Sequence, residues 1–248
     1  MAGQVAEQLA GLLQQAGSAV ALTGAGISVP SGIPDFRSPG TGLWEKVDPM
    51  EVASIDSFRH DPVRFWSFYR PRFHALAEVE PNPAHAALAE LERRGLIEGV
   101  ITQNIDLLHT KAGSREVVEV HGSIASASCV ECGAGYPHAE LESIFDSRGV
   151  AVCTACEGPV KPDVVLFGEM LPPAALARAV ELAERAELML CVGSSLEVHP
   201  VAGLPRLTLE RGGSLAVITQ GSTPYDSAAA VRMNGDVAAD LEAVLSFL

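Results

Sequence analysis

What the chain lacks narrows its class first. No apolar run approaches the ~18 to 20 residues of a membrane span. The first residues carry no charged segment leading into an apolar core, so no secretion signal is expected and the cytoplasm is the default location. Positive charge is scarce: 17 Lys and Arg stand against 31 Asp and Glu, a formal net charge of −14. Lysine occurs only at Lys46, Lys111 and Lys161. With a pI near 4.8, such a surface opposes general binding to nucleic acid or anionic membranes. Small molecules or basic protein segments are the expected partners. At 248 residues and 48% hydrophobic content, the chain suits one large soluble domain, or one domain carrying an insertion.

The stretch Thr23 to Arg37, TGAGISVPSGIPDFR, organises the rest. It follows the apolar run Ala19-Val20-Ala21-Leu22, which reads as a buried strand. Gly24 and Gly26 permit a tight turn and offer N–H groups to a phosphate. The third glycine of a dinucleotide fingerprint is missing, because position 29 is Val29. A conventional hydride-transferring dehydrogenase is disfavoured on that ground. Pro30, Gly32 and Pro34 break helix and predict an ordered loop, ending in Asp35-Phe36-Arg37.

Val5 to Ala16 has the apolar spacing of an amphipathic helix. Most aromatic residues lie between Trp44 and Phe73, which predicts a small helical layer with its own aromatic core. Pro81 to Pro83 mark a boundary, and Ala84 to Arg93 reads as a helix ended by Gly95. Short strands are expected at Ile97 to Ile101, Val117 to Val120, Leu188 to Val192 and Leu215 to Ile218. Val164 to Phe167 is read as the α/β alternation resuming. Helices are expected at Ala174 to Ala186, Val201 to Glu210 and Val237 to Leu245. This alternation implies a mainly parallel sheet with helices on both faces.

Between Ser123 and Lys161 the alternation stops and four cysteines appear. Cys129 and Cys132 form one CxxC, Cys153 and Cys156 another, with roughly twenty residues between, the spacing of zinc sites. Four thiolates fill a tetrahedral zinc and leave no position for water, so the site is structural. The insertion is small and polar, and the metal would supply its folding energy. Two disulfides are the competing explanation, disfavoured without a secretion signal; a redox CxxC is another. Cys191 lies in an apolar strand and reads as a buried small residue.

Asn104, Asp106 and His121 all fall at the ends of predicted strands. In a parallel sheet those ends share one edge with the Gly24 turn. A neutral histidine there suits general-base work, while an amide and a carboxylate suit ribose hydroxyls or a water.

The segments GAGIS, GIPDFR, TQNID, HG, the two CxxC pairs, KPDVVLFGE and GSSL, in this order, resemble the sirtuin family of NAD-dependent protein lysine deacylases. The resemblance covers about Val20 to Asp226. It implies an α/β fold: a Rossmann-type NAD-binding domain from 1–37, 96–122 and 162–248, a helical insertion at 38–95 and a zinc-binding module at 123–161. It also implies the chemistry. The acyl-lysine carbonyl oxygen attacks the ribose carbon bearing nicotinamide, which leaves. A ribose hydroxyl deprotonated through His121 then attacks the imidate, and water completes the release of free lysine and O-acyl-ADP-ribose. Phe36 would shield the oxocarbenium-like centre from solvent.

The same resemblance assigns Gly24, Ala25, Gly26 and Arg37 to the pyrophosphate pocket, with Asp35 and Phe36 beside them. Gln103, Asn104, Ile105 and Asp106 would hold the nicotinamide-side ribose and the amide. Gly193, Ser194 and Ser195 would lie against phosphate and ribose, with Thr219, Gln220, Gly221 and Val237 toward the adenosine. Val164, Val165, Leu166, Phe167 and Gly168 would pair with an acylated-lysine protein segment by strand addition. Tyr69 and Arg72 stand in the YxxR arrangement with which one branch of the family binds succinyl or malonyl groups. Two rival functions use overlapping features: mono-ADP-ribosyl transfer, and a non-catalytic ADP-ribose or zinc-ribbon module.

One departure carries a consequence. Where sirtuins usually bind the adenine ribose through an asparagine, this chain has Thr219, followed by Gln220. A hydroxyl donates one hydrogen bond and does not reproduce the amide's pair. Thr219→Asn is therefore expected to tighten NAD binding in a cofactor titration, and an unchanged affinity would contradict the assignment.

Overall fold

The computed structural model describes residues 2–35, 42 and 47–248, so Phe36 and Arg37 lie outside the described residues. The first half of the chain runs α1 (Ala2–Gln15), β1 (Ala19–Thr23), a 3-10 segment (Ala25–Ser31), α2 (Pro49–Val52), α3 (Ile55–His60), α4 (Pro62–Glu78), α5 (Pro83–Arg93), β2 (Val100–Thr102), α6 (Leu108–Lys111) and β3 (Val117–Glu119). Then follow β4 (Gly122–Cys129), β5 (Gly135–Pro137), a 3-10 segment (His138–Ile144), β6 (Val160–Val164), α7 (Pro173–Arg185), β7 (Leu188–Val192), α8 (Leu204–Glu210), β8 (Ser214–Ile218), β9 (Val231–Met233) and α9 (Val237–Leu245). Among the described residues no helix is long and apolar enough to cross a membrane.

Six strands form one sheet in the order β3-β2-β1-β7-β8-β9, and every pairing is parallel. This is the doubly wound order, whose direction reverses between β1 and β7. β1 and β7 are buried along their whole length, as central parallel strands covered on both faces must be. Alternate side chains of β1 feed different cores. Ala19 and Ala21 meet α1, α5 and α9, whereas Val20 and Leu22 meet α7 and α8.

The helix Pro83–Arg93, expected within the 38–95 insertion, belongs to this sheet. Its Ala84, Ala87, Leu88 and Leu91 are buried with α1 and α9. The apolar stripe decides the matter, since a helix packs where that stripe is covered. Residues 162–164 depart from expectation in the opposite sense. They end β6, which is antiparallel to β4 in a separate three-stranded sheet ordered β5-β4-β6.

The aromatic helices and the cysteine module do not have separate cores. Phe58, Phe65, Trp66 and Phe73 are buried in one cluster with Ile124, Tyr136, Cys153, Val160 and Leu166. Trp66 Nε1 also donates to the Val160 carbonyl at 3.1 Å, so the indole is satisfied across the joint. Each fully buried large side chain contributes about 1.5–3 kcal/mol, so a handful of them stabilises the two parts as one body.

Two prolines fall inside helices, one in the expected helical layer and one where a loop is expected. Pro71 lies within α4, which continues unbroken to Glu78. Pro30 lies in the 3-10 segment that replaces the expected loop. A 3-10 ladder needs an N–H at position 30 for the carbonyl of Ile27, and proline has none. Asn82 Nδ2 supplies that donor instead, at 2.8 Å.

Candidate active site

The turns that follow β1, β2, β3, β7 and β8 lie at one edge of the sheet, at the carboxyl ends of the strands. Open α/β sheets bind ligands there, at the reversal of strand order. The turn after β1 crosses the turn after β7 in backbone contact. Gly24 N–H donates to Val192 O at 3.1 Å and Gly26 N–H to Gly193 O at 2.8 Å. A Cβ on Gly26 would come within 2.7 Å of Gly193 O.

This corrects the expectation that both glycine amides are free for a phosphate. Their protons are used in joining the two turns, and the glycines are required by that approach. Among the described residues, no carbonyl takes the N–H of Ala25, which opens the 3-10 segment. Ser194 is buried, with Oγ accepting from Gln103 Nε2 at 2.9 Å, which joins the turns after β2 and β7.

His121 follows β3. Its Nδ1 lies 2.9 Å from the Gln103 carbonyl, which only accepts, so Nδ1 carries the proton and Nε2 keeps its lone pair. Burial holds its pKa below the usual 6.5, with the bond to Gln103 pulling the other way. The ring is neutral and oriented.

Asn104 is set similarly. Its Nδ2 donates to Gly24 O at 3.2 Å and to Ser28 Oγ at 3.1 Å. Both amide protons are spent, so Oδ1 is the atom left to accept from a ligand. Asp106 is buried, with Oδ2 accepting from Ser28 Oγ at 2.7 Å and Oδ1 from Leu108 N at 3.0 Å. Ile105 is partly buried against the aromatic core, and its carbonyl accepts from Ile124 N at 3.1 Å.

Sequence reasoning missed the layer beneath. Ser28 is inside the quoted motif GAGIS, yet its role depends on His85, which lies in α5. Asn82 caps α5, and its backbone N–H reaches His85 Nδ1 at 3.3 Å. That leaves the proton on Nε2, 3.4 Å from Ser28 Oγ. Burial lowers His85 to a pKa of about 4, offset by the charge of Asp106. The Asp106 carboxylate is therefore held by neutral donors. His109, beside His85, is lowered to about 3, chiefly by burial, and contacts Thr23 Oγ1 at 2.9 Å. The available signal was a histidine on the apolar face of α5.

The loop after β8, assigned to the adenosine by resemblance, is built around Arg232. Its guanidinium donates to Thr219 O at 2.6 Å, to Gly221 O at 2.5 Å and to Asp226 Oδ1 at 3.1 Å. Gln220 and Gly221 are exposed, and Thr219 and Asp35 are half-buried. Val237 opens α9 with its side chain in the core, so only its main chain is left for a ligand.

The segment Val164–Gly168 is more occupied than strand addition requires. The N–H of Val165 donates to His121 O at 2.8 Å, that of Phe167 to Ala53 O at 2.8 Å and that of Leu166 to Glu169 Oε2 at 2.8 Å. Phe167 and Met170 are exposed apolar side chains at this edge. Tyr69 and Arg72 lie on α4, inside the aromatic layer. The Tyr69 ring is 4.5 Å from Phe65 and 5.2 Å from Phe73. The Arg72 guanidinium lies 3.6 Å over the Phe68 ring and donates to the Phe68 carbonyl.

The four expected cysteines converge: the Sγ atoms of Cys129, Cys132, Cys153 and Cys156 all lie within 4.8 Å of one another. The shortest pairs are Cys129–Cys156 at 3.5 Å and Cys132–Cys153 at 3.6 Å, and all are free thiols. All four sulfurs can therefore face one ion, as tetrahedral thiolate ligation of zinc requires. Tyr136 O–H donates to Cys153 Sγ at 3.1 Å and helps lower that thiol to about 6. This donor set fits one structural zinc.

Comparison with known proteins agrees with this geometry. The model of the Sir2 family matches residues 24–200. An NAD-dependent protein deacetylase of Thermotoga maritima is 44% identical over 226 residues, 91% of each chain. A solved Sir2 structure with deacetylated peptide and acetyl ADP ribose superposes with a TM-score of 0.92 at 42% identity, covering 97% of both chains. Another, Sir2 bound to acetylated peptide, has a TM-score of 0.89 at 40% identity, again over 97% of both. The chain belongs to the Sir2 family, the sirtuins.

Proposed function

We infer that this chain is an NAD-dependent protein lysine deacylase, and we propose that Tyr69 and Arg72 extend its range to succinyl and malonyl groups. The observation that carries the first reading is His121, neutral and with the lone pair on Nε2, at the carboxyl edge of the sheet that also carries the glycine turn. The deacetylase relative and the peptide-bearing solved neighbours support it.

The residues present fit NAD. The Ala25 N–H, which no carbonyl takes among the described residues, and Ser194 to Ser195 would hold the pyrophosphate. Gln103 and Asn104 would hold the nicotinamide-side ribose, and the Thr219 to Gly221 loop the adenosine. Bound NAD supplies a ribose carbon whose nicotinamide is a leaving group. The chain's own part is positional and protolytic. His121 Nε2 takes the proton of a ribose hydroxyl, and the Gln103 carbonyl fixes the ring while it does so. Asn104 Oδ1 accepts from a ribose hydroxyl or a water. Asp106, which accepts from Ser28 and Leu108, fixes the Ser28 hydroxyl that in turn accepts from Asn104.

For the acyl group, burial raises the Tyr69 hydroxyl far above its ordinary pKa while the nearby Arg72 charge acts against it. Tyr69 is thus a neutral donor next to a guanidinium, a pair suited to an acyl carboxylate. A wet arginine elsewhere on the surface would offer much less.

Two outcomes follow. The acid limb of kcat/KM for acyl-peptide is expected to have its midpoint below 6.5, the value of a free histidine, because only neutral His121 accepts the proton; a midpoint above it would contradict the base assignment. In a panel of acetyl, malonyl and succinyl peptides, all turnover is expected to require NAD. Arg72→Met should cost at least about tenfold more on succinyl than on acetyl peptide, the scale of one charged hydrogen bond. Equal losses on both, or none on either, would remove the acidic-acyl proposal.

A further inference from the structure

Outside the reacting groups, one nearly buried cation is tied to the segment that faces the substrate. The Lys161 side chain is only 13% exposed. Its ammonium donates to Pro162 O at 2.9 Å and to Val164 O at 2.7 Å, and lies 3.1 Å from Glu169 Oε2. Three protons meet three acceptors, so the ammonium is fully used. The same Oε2 accepts the Leu166 N–H at 2.8 Å, and the Glu169 N–H returns to Leu166 O at 3.0 Å. Residues Leu166 to Glu169 thus form a turn closed at both ends, with Gly168 at φ +89° inside it.

This turn is coupled to the reacting histidine through the backbone. Val165 N–H donates to His121 O at 2.8 Å, and the next residue, Gly122, pairs with Val164. Gly122 has φ +70°, and a Cβ there would stand 1.9 Å from Asp163 O, so the two strands are pressed together at that point. On the outer side the turn presents Phe167 and Met170, 42% and 89% exposed. Removing the ammonium would leave two carbonyls and a partly buried carboxylate without their cation, and the turn would lose one of its closures.

We propose that Lys161, through Glu169, is a positioning residue for acyl-lysine peptide: it sets the conformation of residues 165–170 and does not touch NAD. The proposal rests on reading the site as one that takes acyl-lysine peptide. A direct binding assay keeps the two separable. A fluorescein-labelled acetyl-lysine peptide is titrated with wild type, Lys161→Met, Lys161→Arg and Glu169→Gln, alongside NAD titrations and steady-state KM values for both substrates.

Lys161→Met is expected to weaken peptide binding and raise peptide KM at least about tenfold, the scale of lost charge-assisted bonds. NAD affinity and NAD KM should stay within about twofold, because the Lys161 ammonium bonds to Pro162, Val164 and Glu169 and to none of the groups assigned to NAD. Lys161→Arg should restore much of the peptide affinity, and Glu169→Gln should lose an intermediate amount. Unchanged peptide affinity in Lys161→Met overturns the proposal alone. So does a parallel loss of peptide and NAD affinity without rescue by arginine, the mark of a general structural role. A wild-type chain that binds no acyl-lysine peptide overturns the proposal together with the reading beneath it.

Discussion

Backbone meets backbone where the turn after β1 crosses the turn after β7, and the site depends on that contact. The Gly26 amide donates to the Gly193 carbonyl at 2.8 Å, and a Cβ on Gly193 would stand 2.2 Å from Ile27 N. No side chain fits at Gly26 or at Gly193. The contact closes the sheet's point of reversal tightly enough for Ser194, Gln103 and Asn104 to join the turns after three strands by hydrogen bonds. A looser crossing would separate Gln103 and Asn104 from Ser194 and Gly24, and catalysis by positioning is sensitive to displacements of that order.

The second organising feature is the shared core of the aromatic helices and the cysteine module. Neither part is large. Binding of a structural zinc is worth on the order of 10 kcal/mol at neutral pH, more than the few buried apolar side chains of a three-stranded sheet provide. Trp66, bonded to Val160, carries that rigidity from the cysteine module into α4. Tyr69 and Arg72 lie on that helix, and Val164, which accepts from Lys161, lies in the same core. Zinc takes no part in the reaction in this view. Held by the four cysteines, it would fix where β4 and β6 lie relative to His121.

Much of this was legible in the sequence, for identifiable reasons. The strands β1, β7 and β8 are continuous apolar runs, and the helices α1, α5, α7 and α9 carry apolar residues at helical spacing. The cysteine spacing also foretells the cluster of Sγ atoms within 4.8 Å. Other features depend on partners distant in the chain. β9 is three residues long with Arg232 between two apolar neighbours, too short for a periodic signal. Val164 to Phe167 is an apolar run of the kind a parallel strand has, yet only Val164 lies in a strand, the end of β6, and only pairing with β4 reveals that this sheet is antiparallel. A glycine announces that something approaches closely, not what does. At Gly26 the neighbour is another turn of the same chain, and the amide expected for phosphate is already used. The layer of Ser28, His85 and Asp106 was hidden because its proton directions follow from the cap that Asn82 places on α5.

The central claim is that His121 withdraws a proton beside a ribose while zinc-held strands merely position the substrate. Its most direct test is His121→Ala, assayed for NAD-dependent release of free lysine, with bound zinc and thermal unfolding measured on the same preparation. The account predicts a loss of at least about 100-fold in turnover, the scale of general-base catalysis, with zinc content and unfolding temperature unchanged. Undiminished turnover by the zinc-replete variant would contradict it.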